Sequence, residues 1–278
     1  MFSGFMFTSW TAATLVAIVC GMVGFFVVLR GASFAAHALP MGAFPGAAAA
    51  VLLGINPFYG VLIFSSLGAL GITVFSRQHR HEVATALCLV TLLGTGTFLL
   101  SLSGRYSRSV YSLLFGDLLG ISRSQLIPLV IAAGITLSLV VLLFRRLLLS
   151  SFSAELAAVR GIPLRSTEFG FLALLALTTS IAVPVVGSLL VFSLMIAPPA
   201  IARSLSRRPL PALLLSVAVA LTIVWSALTL SWLTDWPPGF FVGTLGALLY
   251  LAERLYSQQR LKKAGHLPPS PETAPQLR

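Results

Sequence analysis

The chain has 278 residues, 57% of them hydrophobic and only 9% charged, with a mean hydropathy of +0.98. A soluble domain carries about 25% charged residues, so water is excluded as the solvent for most of this surface, and the length is better counted in spans of roughly 20 apolar residues. The net charge of +11 comes from 18 basic and 7 acidic residues; no continuous basic, polar face accompanies it, which excludes a nucleic-acid partner.

In chain order, Met1 to Trp10 lacks the basic start and small-residue cleavage site of a signal peptide. The first span, Thr11 to Leu29, is therefore expected to be retained, and it ends at Arg30. Ala38 to Ser76 holds no charged residue, and Gly54-Ile55-Asn56-Pro57 divides it into two spans. A polar loop from Arg77 to Glu82 follows; its His79 and His81 sit among arginines and read as a solvated turn. Val83 to Gly104 is the next span. Ser103 to Ser124 mixes Arg105, Arg108, Asp117 and Arg123 with Tyr, Leu and Phe, and reads as interfacial or partly re-entrant. Gln125 to Phe144 is a span closed by Arg145 and Arg146.

Ser150 to Arg165 is the most polar interior stretch, with Glu155 and Arg160 before a helix stop at Gly161-Ile162-Pro163. Phe169 to Ala202 is uncharged, too long for one span and slightly short for two, with a break expected near Pro184 and Gly187. Such breaks are tolerated where the backbone lines a cavity or is buried in protein. Arg203, Arg207 and Arg208 close this run. Pro209 to Thr234 is a span, Asp235 to Gly239 a turn, and Phe240 to Ala252 the last span, before a basic and then proline-rich tail. The expected fold class is an all-α, polytopic transmembrane bundle of about 8–9 spans with at least one broken or re-entrant helix.

Positive-inside bias places the loops at Arg77–Arg80, Arg145–Arg165, Arg203–Arg208 and Arg254–Lys263 together on the cytoplasmic side, with the C-terminus. Ser103–Ser124 and Asp235–Gly239 then lie outside. Nine full spans would put the N-terminus outside, and eight with a re-entrant element would put it inside. Cys20 and Cys88 lie in apolar runs as small packing residues, without a disulfide or Cys-rich metal framework. The chain carries no phosphate-binding Gly-x-x-x-x-Gly-Lys loop, no His-Glu-x-x-His and no Gly-x-Ser-x-Gly. It is expected not to be an enzyme, and ATP-driven work would need a separate ATPase.

Five segments together carry a resemblance. They are Gly24 to Arg30 running on to Pro45-Gly46; Leu114 to Ser122; Glu155 to Ile162; Val186 to Phe192 running on to Arg203; and Asp235 to Gly239. In order and spacing they resemble the permease subunits of ABC importers for zinc, manganese and iron. The resemblance implies a permease domain over 1–256 and a basic, Pro-rich cytoplasmic tail over 257–278. It also implies a coupling segment at about 150–165 that docks into the ATPase through Glu155, Ala157, Ala158, Arg160 and Gly161. The implied partners are an ABC ATPase, an extracytoplasmic metal-binding protein, a second copy of the chain and the bilayer of a bacterial inner membrane. No cofactor is bound permanently; a divalent metal ion is the cargo, and ATP sits on the partner subunit.

One departure from that family is chemical. Its metal-binding members carry Asp and, four residues on, His just before Pro-Gly; the ungapped match from Arg30 to Gly46 puts His37 and Met41 there. Residues four apart share a helix face, so both can address one ion, with Pro40 between them fitting where a helix begins. Imidazole suits zinc, copper, iron and nickel, and thioether favours soft ions, so zinc comes first and manganese becomes disfavoured. Two alternatives remain from the sequence. A permease for metal chelates needs no naked-ion ligands, and an ion-coupled secondary carrier would need acidic residues within its spans. Asp117 and Asp235 are expected to cap helices at the outer surface.

Overall fold

The computed structural model describes residues 4–75, 81–102, 116 and 121–264. The loop at Arg77–Arg80 with His79, the interfacial segment apart from Gly116 and its last residues 121–124, with Asp117, and the tail from residue 265 lie outside these residues. Among the described residues the elements are helices: α1 Gly4–Arg30, α2 Ser33–Gly42, α3 Phe44–Leu53, α4 Pro57–Phe75, α5 His81–Ser101, α6 Arg123–Phe152, α7 Ala154–Val159, α8 Leu164–Val186, α9 Ser188–Leu205, α10 Pro209–Thr234 and α11 Pro238–Ala264.

Seven of these are long and apolar enough to cross a membrane: α1, α4, α5, α6, α8, α9 and α10. That is fewer than the sequence reading expects, for two reasons. Residues 33–53 are divided into helices of ten residues each, and α11 joins an apolar first half to a second half bearing Glu253, Arg254 and Arg260. The uncharged run Phe169–Ala202 resolves into two helices that are each long enough to cross, because Arg165 and Glu168 extend α8 at its start and Arg203 extends α9 at its end. Pro184 stays inside α8, and the chain leaves the helix only at Gly187, whose φ of 88° is open to glycine.

Local chemistry sets the helix ends. Asn56 accepts a hydrogen bond from the Phe58 amide at 3.0 Å and starts α4, while Gly54, at φ 67°, releases α3. Ser122 opens α6 with a reciprocal box to Gln125. Asp235 caps a helix, at its C-terminal end: it closes α10 at φ 56°, a left-handed residue that turns the chain toward α11.

The bundle has two distinct ends. Arg30, Ile72, Glu82, Ser150 and Leu164 surround one cavity, and Leu29, Phe152, Arg203 and Arg207 another beside it, so the ends of α1, α4, α6 and α9 meet the starts of α5 and α8 there. At the opposite end Ser9 and Trp10 of α1 share a cavity with Asp235, Trp236 and Pro238, and Asn56 shares one with Gln125 and Pro184. The arginine-rich turns thus gather at one end, and the first turns of α1 lie at the other.

α1 and α8 form the centre, 67% and 72% buried along their spans, against 17% for α5. In lipid the apolar effect does not drive one helix against another, so close packing and polar contacts must. Small residues allow it: a side chain at Gly21 would meet the Val217 backbone, and one at Gly24 the Met195 backbone. Ser216 of α10 donates to the Gly21 carbonyl at 2.7 Å, and Ser65 of α4 meets Ser180 and the Ala176 carbonyl of α8 at 3.2 Å each. Gly46 of α3 and Gly60 of α4 bring their backbones into direct contact.

Candidate metal path and coupling segment

The two candidate metal residues lie on α2, which packs against α9. Gly31, at φ 67°, lets the chain turn out of α1, and the Ala32 amide closes onto the Val27 carbonyl at 3.0 Å. α2 then starts at Ser33 and carries His37 and Met41 one turn apart. Pro40 falls in the last turn of α2, not at a helix start as expected; the missing N–H coincides with the interruption at Ala43, after which α3 begins. His37 is half-buried, its ring edge-on to Phe192 of α9 with centroids 4.9 Å apart. Its Nδ1 is buried and makes no hydrogen bond. Met41 is half-buried in the same helix.

An unpaired polar atom in a low-dielectric interior costs free energy, so the exceptions are informative. Among the described residues they are His37 Nδ1, Thr179 Oγ1, Ser188 Oγ and Arg30 Nη1. His37 was legible from sequence through its position. Thr179 and Ser188 were missed, because hydroxyls in apolar runs normally satisfy themselves on the backbone of the preceding turn, as Thr178 and Ser180 do. Among the described residues no three His, Cys, Asp or Glu side chains come together as a metal-holding cluster.

Arg30, read from sequence only as a span end, has a structural place of its own. It donates from Nη2 to Ser150 Oγ at 2.8 Å and lies over the Phe171 ring at 4.8 Å. This joins α1 to the last turn of α6 and the first half of α8, the two helices that flank α7. The cavity beside it, about 380 Å³, is bordered by Phe34 of α2 and by Glu82 and Glu168.

The coupling candidates form α7 and its exit. Ser153 accepts from the Leu156 amide at 3.2 Å to start the helix. Gly161, at φ 71°, ends it, with the Gly161 amide on the Ala158 carbonyl at 2.9 Å and the Ile162 amide on the Ala157 carbonyl at 3.0 Å. Glu155, Ala158, Arg160 and Gly161 are exposed at the arginine-rich end. Ala157 is fully buried and anchors the helix. Two apolar side chains, Leu156 and Val159, also project, 63% and 85% exposed; sequence gives no sign of this, because apolar residues in a polar stretch read as anchors.

The family model for the ABC 3 transport family matches residues 3–257. Over 195 residues the chain is 33% identical to the manganese transport system membrane protein MntC of Listeria monocytogenes, covering 69% of each. It is 27% identical over 258 residues to the high-affinity zinc uptake system membrane protein ZnuB of Haemophilus influenzae, covering 92% of this chain and 98% of that one. In three dimensions it matches a chain of PsaBC from Streptococcus pneumoniae in complex with Fab, with a TM-score of 0.80 and 25% identity over 90% of this chain and 91% of that chain. The chain belongs to the ABC 3 transport family.

Proposed function

We propose that this chain is the membrane-spanning permease of an ATP-driven importer for divalent metal ions, with zinc as the preferred cargo. The observation that carries the proposal is His37: a buried, unpartnered imidazole nitrogen on a short helix packed against α9, one turn from a thioether. Relatives named for manganese and for zinc both exist, and the donor set supports zinc. Imidazole plus thioether suits zinc better than manganese, which prefers oxygen ligands. Few and uncharged donors also suit transport, since a site that binds tightly releases slowly.

The remaining parts follow the same reading. α2 and α3 together act as an eighth crossing and α11 as a ninth, which puts the N-terminus outside and the C-terminus with the arginines in the cytoplasm of a bacterial inner membrane. α7 docks into a separate ABC ATPase through Leu156 and Val159, with Glu155, Ala158, Arg160 and Gly161 around them and Ala157 as the pivot. A second copy of the chain completes the path, and an extracytoplasmic binding protein delivers the ion to the end that carries Trp10 and Asp235.

The test is uptake into liposomes holding the permease with its ATPase and binding protein, across zinc, manganese, iron and copper. Zinc uptake should require ATP and fall at least about tenfold in His37→Ala, with no loss of thermal stability. Wild type that moves no free ion but does move a metal chelate would replace this reading with the chelate permease. Uptake driven by an ion gradient without ATP would replace it with the secondary carrier.

A further inference from the structure

α2 and α9 pack together in opposite directions: α2 leaves the arginine-rich end at Ser33, and α9 returns to it at Arg203. Their register is set by the contact of His37 with Phe192. Moving four residues outward along α2 reaches Met41, and moving four residues outward along α9 reaches Ser188, each step being about 6 Å on the same helix face. Met41 and Ser188 therefore stand at one level, a turn outward from His37. Ser188 is 2% exposed, and its hydroxyl makes no hydrogen bond.

We propose that Ser188 is a third donor of the metal path, offering a neutral oxygen opposite Met41 to a partly dehydrated divalent cation on its way to His37. The proposal rests on the importer reading and extends it by a residue that the sequence did not single out. A serine at this point of a helix has no need to be orphaned. Ser65, Ser180 and Ser216 all close onto backbone carbonyls, whereas Ser188, in the first turn of α9, has Gly187 before it and the end of α8 before that. The positive end of α9 at Ser188 opposes a cation, but α8 ends with its carbonyls at the same glycine, and helix ends of that polarity favour one. The site thus becomes a way-station with nitrogen, sulfur and oxygen donors and no fixed charge.

Ser188→Ala separates the donor from a packing role. A buried hydroxyl without a partner destabilises, so removing it should leave the thermal midpoint unchanged or higher. With the ATPase and binding protein in liposomes, its zinc uptake should nevertheless fall about tenfold. Ser188→Cys, in a background with Cys20→Ala and Cys88→Ala, should restore uptake at least in part, and zinc should slow its reaction with a thiol reagent. Zinc uptake by Ser188→Ala equal to wild type, while His37→Ala is inactive, overturns the third donor and leaves the importer reading standing. A wild type that moves no free ion overturns both. A Ser188→Ala chain that loses stability together with uptake also overturns the proposal, because the hydroxyl would then be a structural group.

Discussion

Two interruptions in this molecule do opposite things to the chain. Between α2 and α3 the interruption follows a proline, and Ala43 itself keeps right-handed helical angles (φ −79°, ψ −14°), so the chain carries on in the same direction. Between α8 and α9 it falls on Gly187 at φ 88°, and the chain reverses. Proline removes one N–H and can kink a helix, but here the helical angles at Ala43 keep the chain's direction, whereas a positive φ redirects it at once. The first interruption presents His37 and Met41 along one continuing arm, and the second returns the chain so that Phe192 meets His37.

The largest effect is expected where the continuing arm is held against α4. Gly46→Val puts a branched side chain into the backbone of Gly60, which cannot yield as a side chain would. It should cost about 3 kcal/mol or more, read as loss of folded yield and a lower thermal midpoint in detergent. At the reversing joint, Gly187→Ala forces a side chain into a positive-φ, extended-ψ conformation that is essentially open only to glycine and should cost about 1–3 kcal/mol, again read by thermal unfolding. An unchanged midpoint would mean that the joint has another low-energy geometry and that the glycine is not what turns the chain. Pro40→Ala should be the mildest, within about 1 kcal/mol, since it restores one N–H in the last turn of a helix whose direction already continues. A midpoint change as large as that of Gly187→Ala would erase the distinction between the two joints.

Much of the architecture is legible as composition and punctuation. Uncharged runs of spanning length, arginines at their ends, Gly54 to Pro57 and Gly161 to Pro163 all mark boundaries that the helices respect. Where the reading went astray, the cause is the same each time: the chemistry of an end was judged without its neighbours. Arg165, Glu168 and Arg203 belong to helices that extend beyond the apolar run, and Pro184 stays within α8. The path was half legible. His37 and Met41 share a spacing that a helix turns into a common face, and sequence alone shows it. Ser188 shares no spacing with them, and only the contact of α2 with α9 brings it level.

What the sequence determined by itself is therefore the solvent, the helical class, the sidedness of charge and the family pattern, because each rests on local composition or on residues near one another along the chain. Which helices lie at the centre, which buried hydroxyls go unpaired, and that Arg30 ties α1 to the helices flanking α7 were decided by the tertiary structure. These depend on pairings between residues more than a hundred positions apart, such as Arg30 with Ser150 and Ser65 with Ser180. Such pairings have no local signature: in a lipid-embedded bundle the partner of a small or polar residue is set by how closely two backbones can approach, and that is a property of the assembled helices.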